Sequence, residues 1–255
     1  MVIRLNDLRK QFNGNYVLNG ISLSFEAGSI IGYIGPNGAG KSTTIKILTG
    51  ILPEFEGEAE LLGMDVRKNP VEIKQRIGYI PENAALYDVL TPLEYLDFVG
   101  RLYGMEPARI HAKAIELLRL FELEDRSAER MSGFSKGMRQ KVLLISGLIH
   151  NPEIIFFDEP LSGLDANAVI LVKEILSQLK NAGKTIFYSS HLMDVVEKIS
   201  DRIIIIHKGS IIADGTFESL KKEADKGSLE NIFTALTSND IYTETAGEFI
   251  DILNK

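Results

Sequence analysis

The chain has 255 residues, 45% of them hydrophobic and 25% charged, with a formal net charge of −7. That balance is ordinary for a soluble α/β protein with ample core material, and it argues against a general binder of nucleic acid or anionic membrane. The absence of cysteine excludes disulfides and thiolate sites. The opening MVIRLNDLRK alternates apolar and polar residues and lacks the apolar core of a secretory signal. The longest greasy tract, VLLISGLIHNPEIIFF (142–157), is too short to span a bilayer and is broken by His150, Asn151-Pro152 and Glu153. A soluble protein is expected.

Short strands are predicted around 2–8, 16–25 and 29–34, punctuated by turns at Asn13-Gly14 and Ala27-Gly28. SIIGYIG then runs into GPNGAGKSTTIKILTGIL, helical from about Gly40. RIGYIP (76–81) reads as a further strand ended by proline. From Ala84 to about His150 the pattern turns helical, through TPLEYLDFVGRLYG, ARIHAKAIELLRLFEL and a helix following Gly137. Strand and helix then alternate. EIIFFD (153–158) leads to a helix near 166–181, and TIFYSS (185–190) to one near 191–199. RIIIIHKGSIIADG (202–215) reads as a hairpin turning at Lys208-Gly209, and SLENIFTALT as a short helix before a polar tail.

Apolar, double-sided strands alternating with helices predict a mostly parallel sheet with flanking helices. An N-terminal antiparallel β part precedes it, and a helical subdomain at 84–150 is inserted in the core. Residues 1–225 are read as one domain and 226–255 as a terminal helix and tail.

Gly35-Pro36-Asn37-Gly38-Ala39-Gly40-Lys41-Ser42 fits G-x-x-x-x-G-K-[ST], after a strand and opening a helix. The glycines let successive N–H groups, through Thr43, point at phosphate oxygens. Lys41 would reach the β- and γ-phosphates, and the Ser42 hydroxyl would ligate Mg²⁺. The motif predicts binding of a nucleoside triphosphate, and that chemistry points to an intracellular protein.

The acid that completes such a site is expected at the end of a neighbouring strand. Asp158 ends IIFFD and would hold Mg²⁺; Glu159, one residue nearer the open end of the sheet, could take a proton from attacking water. Taken alone, the two would read as solvated acids capping a strand. His191 follows TIFYSS at another strand's end, on the ligand-binding face of a doubly wound sheet, and could donate to the γ-phosphate; its plain alternative is a helix cap. His111, His150 and His207 have no such setting and read as structural. Phe12 could stack on adenine, although an aromatic before a turn is usually packing.

A second stretch, MSGFSKGMRQ (131–140), has two glycines, hydroxyl and cationic side chains and no acid before an apolar helical run. That is how a helix start looks when its bare N–H groups face an anion.

These pieces, in this order, resemble the ATP-binding subunits of ABC transporters over roughly residues 2–220. GPNGAGKST resembles the Walker A motif, IIFFDEP Walker B with its catalytic glutamate, SGLD (162–165) the D-loop, and Ser190-His191 the switch histidine. Phe12 falls where the family's adenine-stacking aromatic falls. FSKGM (134–138) sits in the place of the signature LSGGQ.

The resemblance implies an ATPase motor that uses ATP and Mg²⁺, with Lys41, Glu159 and His191 at the reaction. Two copies, or this chain and a paralogue, would pack head to tail. Ser135 and Gly137 of one would then cap ATP held by the other, and Asp165 would lie at the same junction. Glu82 takes the place of the Q-loop glutamine and would offer Mg²⁺ an oxygen beside Ser42 and Asp158. Phe134, Lys136, Met138 and Glu82 depart from the usual pattern in the manner of the branch serving antibiotic resistance and drug efflux. Implied partners are a separate membrane permease and no nucleic acid, with the chain cytoplasmic on the inner face of the membrane, and the direction implied by that branch is export. The alternatives are an ABC ATPase acting on DNA or ribosomes, which the acidic single cassette disfavours, and a P-loop kinase, which would leave FSKGM, SGLD and His191 without a role.

Overall fold

The computed structural model describes residues 1–82, 86–224 and 227–237, together with Ile252. The expected lobe boundary at Ala84, the domain limit at 225–226 and the polar tail beyond Thr237, Ile252 apart, lie outside the described residues.

Strands β1 (Ile3–Phe12) and β2 (Asn15–Phe25) form a hairpin, and β3 (Ile30–Ile34) leads through the glycine loop into helix α1 (Lys41–Leu48). Next come β4 (Glu56–Leu61), β5 (Met64–Asp65), α2 (Pro70–Arg76) and β6 (Ile77–Ile80). A helical lobe follows, built from α3 (Pro92–Leu102), α4 (Pro107–Leu120) and α5 (Lys136–Leu148). The chain then returns through β7 (Ile154–Asp158), α6 (Ala166–Asn181), β8 (Thr185–Ser189), α7 (Met193–Ile199), β9 (Arg202–His207) and β10 (Ser210–Gly215), and adds α8 (Phe217–Ala224) and α9 (Leu229–Thr237).

Two sheets result. One is antiparallel with order β2-β1-β4-β5; the other has order β10-β9-β3-β8-β7-β6. Strands β9, β3, β8, β7 and β6 of the second run parallel, with β10 antiparallel at its edge. Every residue of β3, β7 and β8 is buried, as expected when a parallel sheet is covered on both faces. Alternate side chains serve different cores. Ile155 and Phe157 join the lobe side with α3, α4 and α5, whereas Ile154 and Phe156 face a core shared with α1 and the antiparallel sheet.

Each fully buried Ile or Phe contributes about 1.5–3 kcal/mol, against about 0–1 kcal/mol for an exposed ion pair. The two apolar layers therefore hold the strand ends in place.

The structure corrects several boundaries. β1 continues past residue 8 to Phe12 because it pairs with both β2 and β4. α5 begins at Lys136, capped by Ser135, so Gly137 lies inside its first turn rather than before it. α7 begins at Met193, which leaves His191 in the preceding loop instead of on the helix. β4, β5, α2 and α8 were not anticipated.

Candidate functional site

The buried strand β3 delivers the glycine loop to the edge of the parallel sheet. α1 starts with no side-chain cap and no acid in its first turn, so its first N–H groups are left for an anion. Gly40 has φ 112°, and a Cβ there would lie 2.5 Å from Leu18 Cδ2 and 3.0 Å from the Val17 carbonyl oxygen. The loop is pinned from the other side by Gly209, whose N–H donates to the Ala39 carbonyl at 3.0 Å. Lys41 is buried, and its Nζ donates to the Gly35 carbonyl at 2.7 Å. Burial pushes its ammonium pKa down, opposed by the charges of Glu159, Asp158 and Glu82.

Asp158 and Ser189 sit side by side at the ends of β7 and β8. Asp158 Oδ1 accepts from Ser189 Oγ at 3.0 Å and from Ser42 Oγ at 3.2 Å. This brings the first residues of α1 against the end of β7. Glu159 follows, buried, with φ 53°, a left-handed value that costs a non-glycine residue about 1–3 kcal/mol. Its N–H donates to the Ser189 carbonyl at 3.0 Å. Its Oε2 accepts from the backbone N–H of His191 at 3.2 Å and lies 2.7 Å from His191 Nδ1.

Asn37, Gly38, Gly40, Lys41, Ser42, Thr43, Glu82, Asp158, Glu159 and His191, with Val17, line a cleft of about 520 Å³. The cleft therefore gathers the glycine loop, the two strand-end acids and the histidine. Among the described residues no group of three or more His, Cys, Asp or Glu converges on a metal position. The adjoining Ser42 hydroxyl and Asp158 carboxylate suit Mg²⁺ instead, since that ion usually takes one or two protein oxygens and completes its shell with phosphate and water.

Phe12 does not line this cleft. It is 43% exposed at the end of β1, with Lys10 Nζ 5.1 Å from its ring centroid. Ser135, Gly137 and Asp165 lie outside the cleft lining too, and form a second group. Ser135 Oγ accepts from the Met138 N–H at 3.2 Å, and α5 has no acid in its first turn. A Cβ on Gly137 would lie 2.8 Å from the Gly163 carbonyl oxygen, so only glycine permits this approach. Asp165 caps α6, accepting from the Ala168 N–H at 2.9 Å.

Of the histidines set aside in the sequence, His150 has a clear structural setting. His150 Nε2 meets the Ile77 carbonyl at 2.9 Å, and its ring stacks on Tyr103 at 3.6 Å. Sequence reasoning missed Val17 and Ser189. Ser189 ends TIFYS as Asp158 ends IIFFD, but only the register of β7 with β8 sets the two opposite each other.

The arrangement defines a nucleotide-binding P-loop ATPase fold, and the comparisons agree with it. The family model described as "ABC transporter" matches residues 18–162. The ABC transporter ATP-binding protein NatA of Bacillus subtilis is 39% identical, the match covering 91% of this chain and 96% of NatA. The linearmycin resistance ATP-binding protein LnrL of the same organism is 36% identical over 84% of this chain and 69% of its own length. A solved ATP-binding subunit of an ABC transporter superposes with a TM-score of 0.87 at 32% identity, covering 93% of this chain and 100% of that one. The chain belongs to the ABC transporter family, as an ATP-binding subunit whose relatives include drug-resistance proteins. No helix among the described residues is long and apolar enough to cross a membrane.

Proposed function

We propose that this chain is the ATP-hydrolysing motor of an export system, working as a head-to-tail dimer on a separate membrane permease at the cytoplasmic face. The observation that carries the reading is the division of its anion-facing groups. One helix start, α1, lies in the cleft with Asp158, Glu159 and His191, while the other, α5, presents an exposed Ser135 outside it. A second copy facing the first would bring these together around each of two nucleotides.

In that role Lys41 neutralises the β- and γ-phosphates, and the loop N–H groups between Gly35 and Thr43, Pro36 having none, hold their oxygens. Ser42 and Asp158, joined by Glu82, would hold Mg²⁺, which when bound screens the charge of the transferring phosphate. Glu159, buried and aimed into the cleft, accepts the proton of the attacking water. His191 orients Glu159 and donates to the γ-phosphate. Ser135 and Gly137 of the facing copy close over the same phosphate with the dipole of α5 behind them, and Asp165 lies at that junction. Phe12, at the exposed tip of the β1–β2 hairpin, stacks on the adenine from outside the phosphate cleft. Export is favoured by the resistance-protein relatives. No nucleic-acid partner is proposed for so acidic a chain.

Isolation of the chain from native membranes tests this. A permease with spanning helices should co-purify and should raise ATP turnover. Recovery without any membrane partner, with turnover responding to DNA or ribosomes instead, would contradict it.

A further inference from the structure

The loop that follows Glu159 is held by α5. Gln140, 5% exposed, donates through Nε2 to the Pro160 carbonyl oxygen at 3.0 Å. One turn earlier on α5, Lys136 Nζ donates to Ser162 Oγ at 2.9 Å. One residue later, Lys141 Nζ lies 3.8 Å from Asp165 Oδ2. Side chain and backbone are packed as well, since a Cβ on Gly163 would meet Lys136 Cδ at 2.9 Å.

These ties differ in weight. The Lys136 contact is exposed, and Lys141, though its side chain is only 14% exposed, reaches a 63% exposed Asp165 at 3.8 Å; both are screened by water and hold weakly, whereas loss of a buried donor would leave a buried carbonyl unpaired. The Gln140 bond is therefore the strong one, and it falls on the residue directly after Glu159.

Glu159 needs such support. Its φ of 53° is rare for a non-glycine residue, and a residue before proline is restricted further, toward extended backbone with negative φ. A strained residue persists where its surroundings hold it from both sides. On the strand side its N–H is fixed by the Ser189 carbonyl at 3.0 Å; on the loop side its carbonyl accepts from the Ser162 N–H at 3.3 Å. Gln140 anchors the peptide between them.

We infer that Gln140 is a positioning residue for hydrolysis, fixing Pro160 and so aiming the Glu159 carboxylate. Because Gln140 stands on the helix that Ser135 caps, it also ties the α5 phosphate-facing end to the base of the same chain. A phosphate met at Ser135 is thereby coupled to Glu159. This inference rests on the proposed role of Glu159 as general base.

The test compares four versions of the full chain with its permease: unmutated, Gln140→Met, Glu159→Gln, and both together. Met keeps the length and volume of Gln but removes the donor. Gln140→Met should lower kcat about tenfold while labelled-nucleotide affinity stays within about twofold. In the Glu159→Gln chain the same substitution should add no further loss, since its effect passes through the missing base. Lys136→Met, at an exposed position that does not threaten folding, should give a smaller fall in kcat with the same dependence on Glu159. If Gln140→Met does not fold, Gln140→Asn, which keeps the amide on a side chain one carbon shorter, takes its place in the same comparison. Equal losses with and without Glu159 would overturn the inference, as would undiminished kcat in Gln140→Met. Full turnover by Glu159→Gln itself would instead remove the general-base reading, and this inference with it.

Discussion

One oxygen of Glu159 serves His191 twice. Oε2 lies 2.7 Å from the ring Nδ1 and accepts the backbone N–H of the same histidine at 3.2 Å. Glu159 is buried, whereas the His191 side chain is 65% exposed, so the ring reaches from the acid toward the open cleft. The pairing fixes both partners: the carboxylate is aimed, and Nε2 is turned away from it. His191→Ala should therefore lower ATP turnover by about tenfold or more, with little change in nucleotide affinity. Steady-state kinetics beside equilibrium nucleotide binding would separate the two effects.

Lys41→Ala should remove nucleotide binding rather than turnover alone. Two charge-assisted hydrogen bonds to phosphate, at about 1.5–3 kcal/mol each, correspond to a loss of about a hundredfold or more in affinity. Titration with a labelled nucleotide would show it. Unchanged affinity would place the site elsewhere.

Arg76 and Glu153 join α2 to the start of β7, with N···O distances of 2.6 and 2.8 Å. The hydrogen bond to Arg76 lowers the Glu153 pKa below its ordinary value of 4.5. A lowered carboxyl pKa contributes stability above the unfolded value, and that contribution fades as pH falls through the folded one. Glu153 is half exposed, so the pair is worth under about 1 kcal/mol. Denaturant unfolding should find Glu153→Gln slightly less stable than the unmutated chain at pH 7. The gap should shrink once the pH is taken well below 4.5.

Much of this fold was legible because parallel strands buried on both faces leave unbroken apolar runs, as IIFFD and TIFYS do. β4 was not legible. Its sequence EGEAEL buries only Ala59 and Leu61, so charge hides the strand. α8 was missed for a similar reason, with Leu220 its one buried residue. At the site, the glycine loop announced itself because its backbone geometry demands particular residues. The Gln140 bond to Pro160 left no such trace, since the acceptor is a backbone carbonyl that any residue supplies. The Asp158–Ser189 contact depends on strand register, which comes from the pairing of β7 with β8 and not from either strand alone.

The measurement that bears most directly on the head-to-tail motor is the mass of the Glu159→Gln chain in solution, by light scattering, at saturating ATP and Mg²⁺. Loss of the base should slow hydrolysis by roughly a hundredfold or more, and removal of a negative charge beside the γ-phosphate should let ATP persist. Each nucleotide would then be held by Lys41 of one chain and by Ser135 and Gly137 of the other. The expected result is a dimer that requires ATP and that falls to monomer when Ser135→Arg is added to the same chain. A monomer at saturating ATP and Mg²⁺, or a dimer that survives Ser135→Arg, would contradict it.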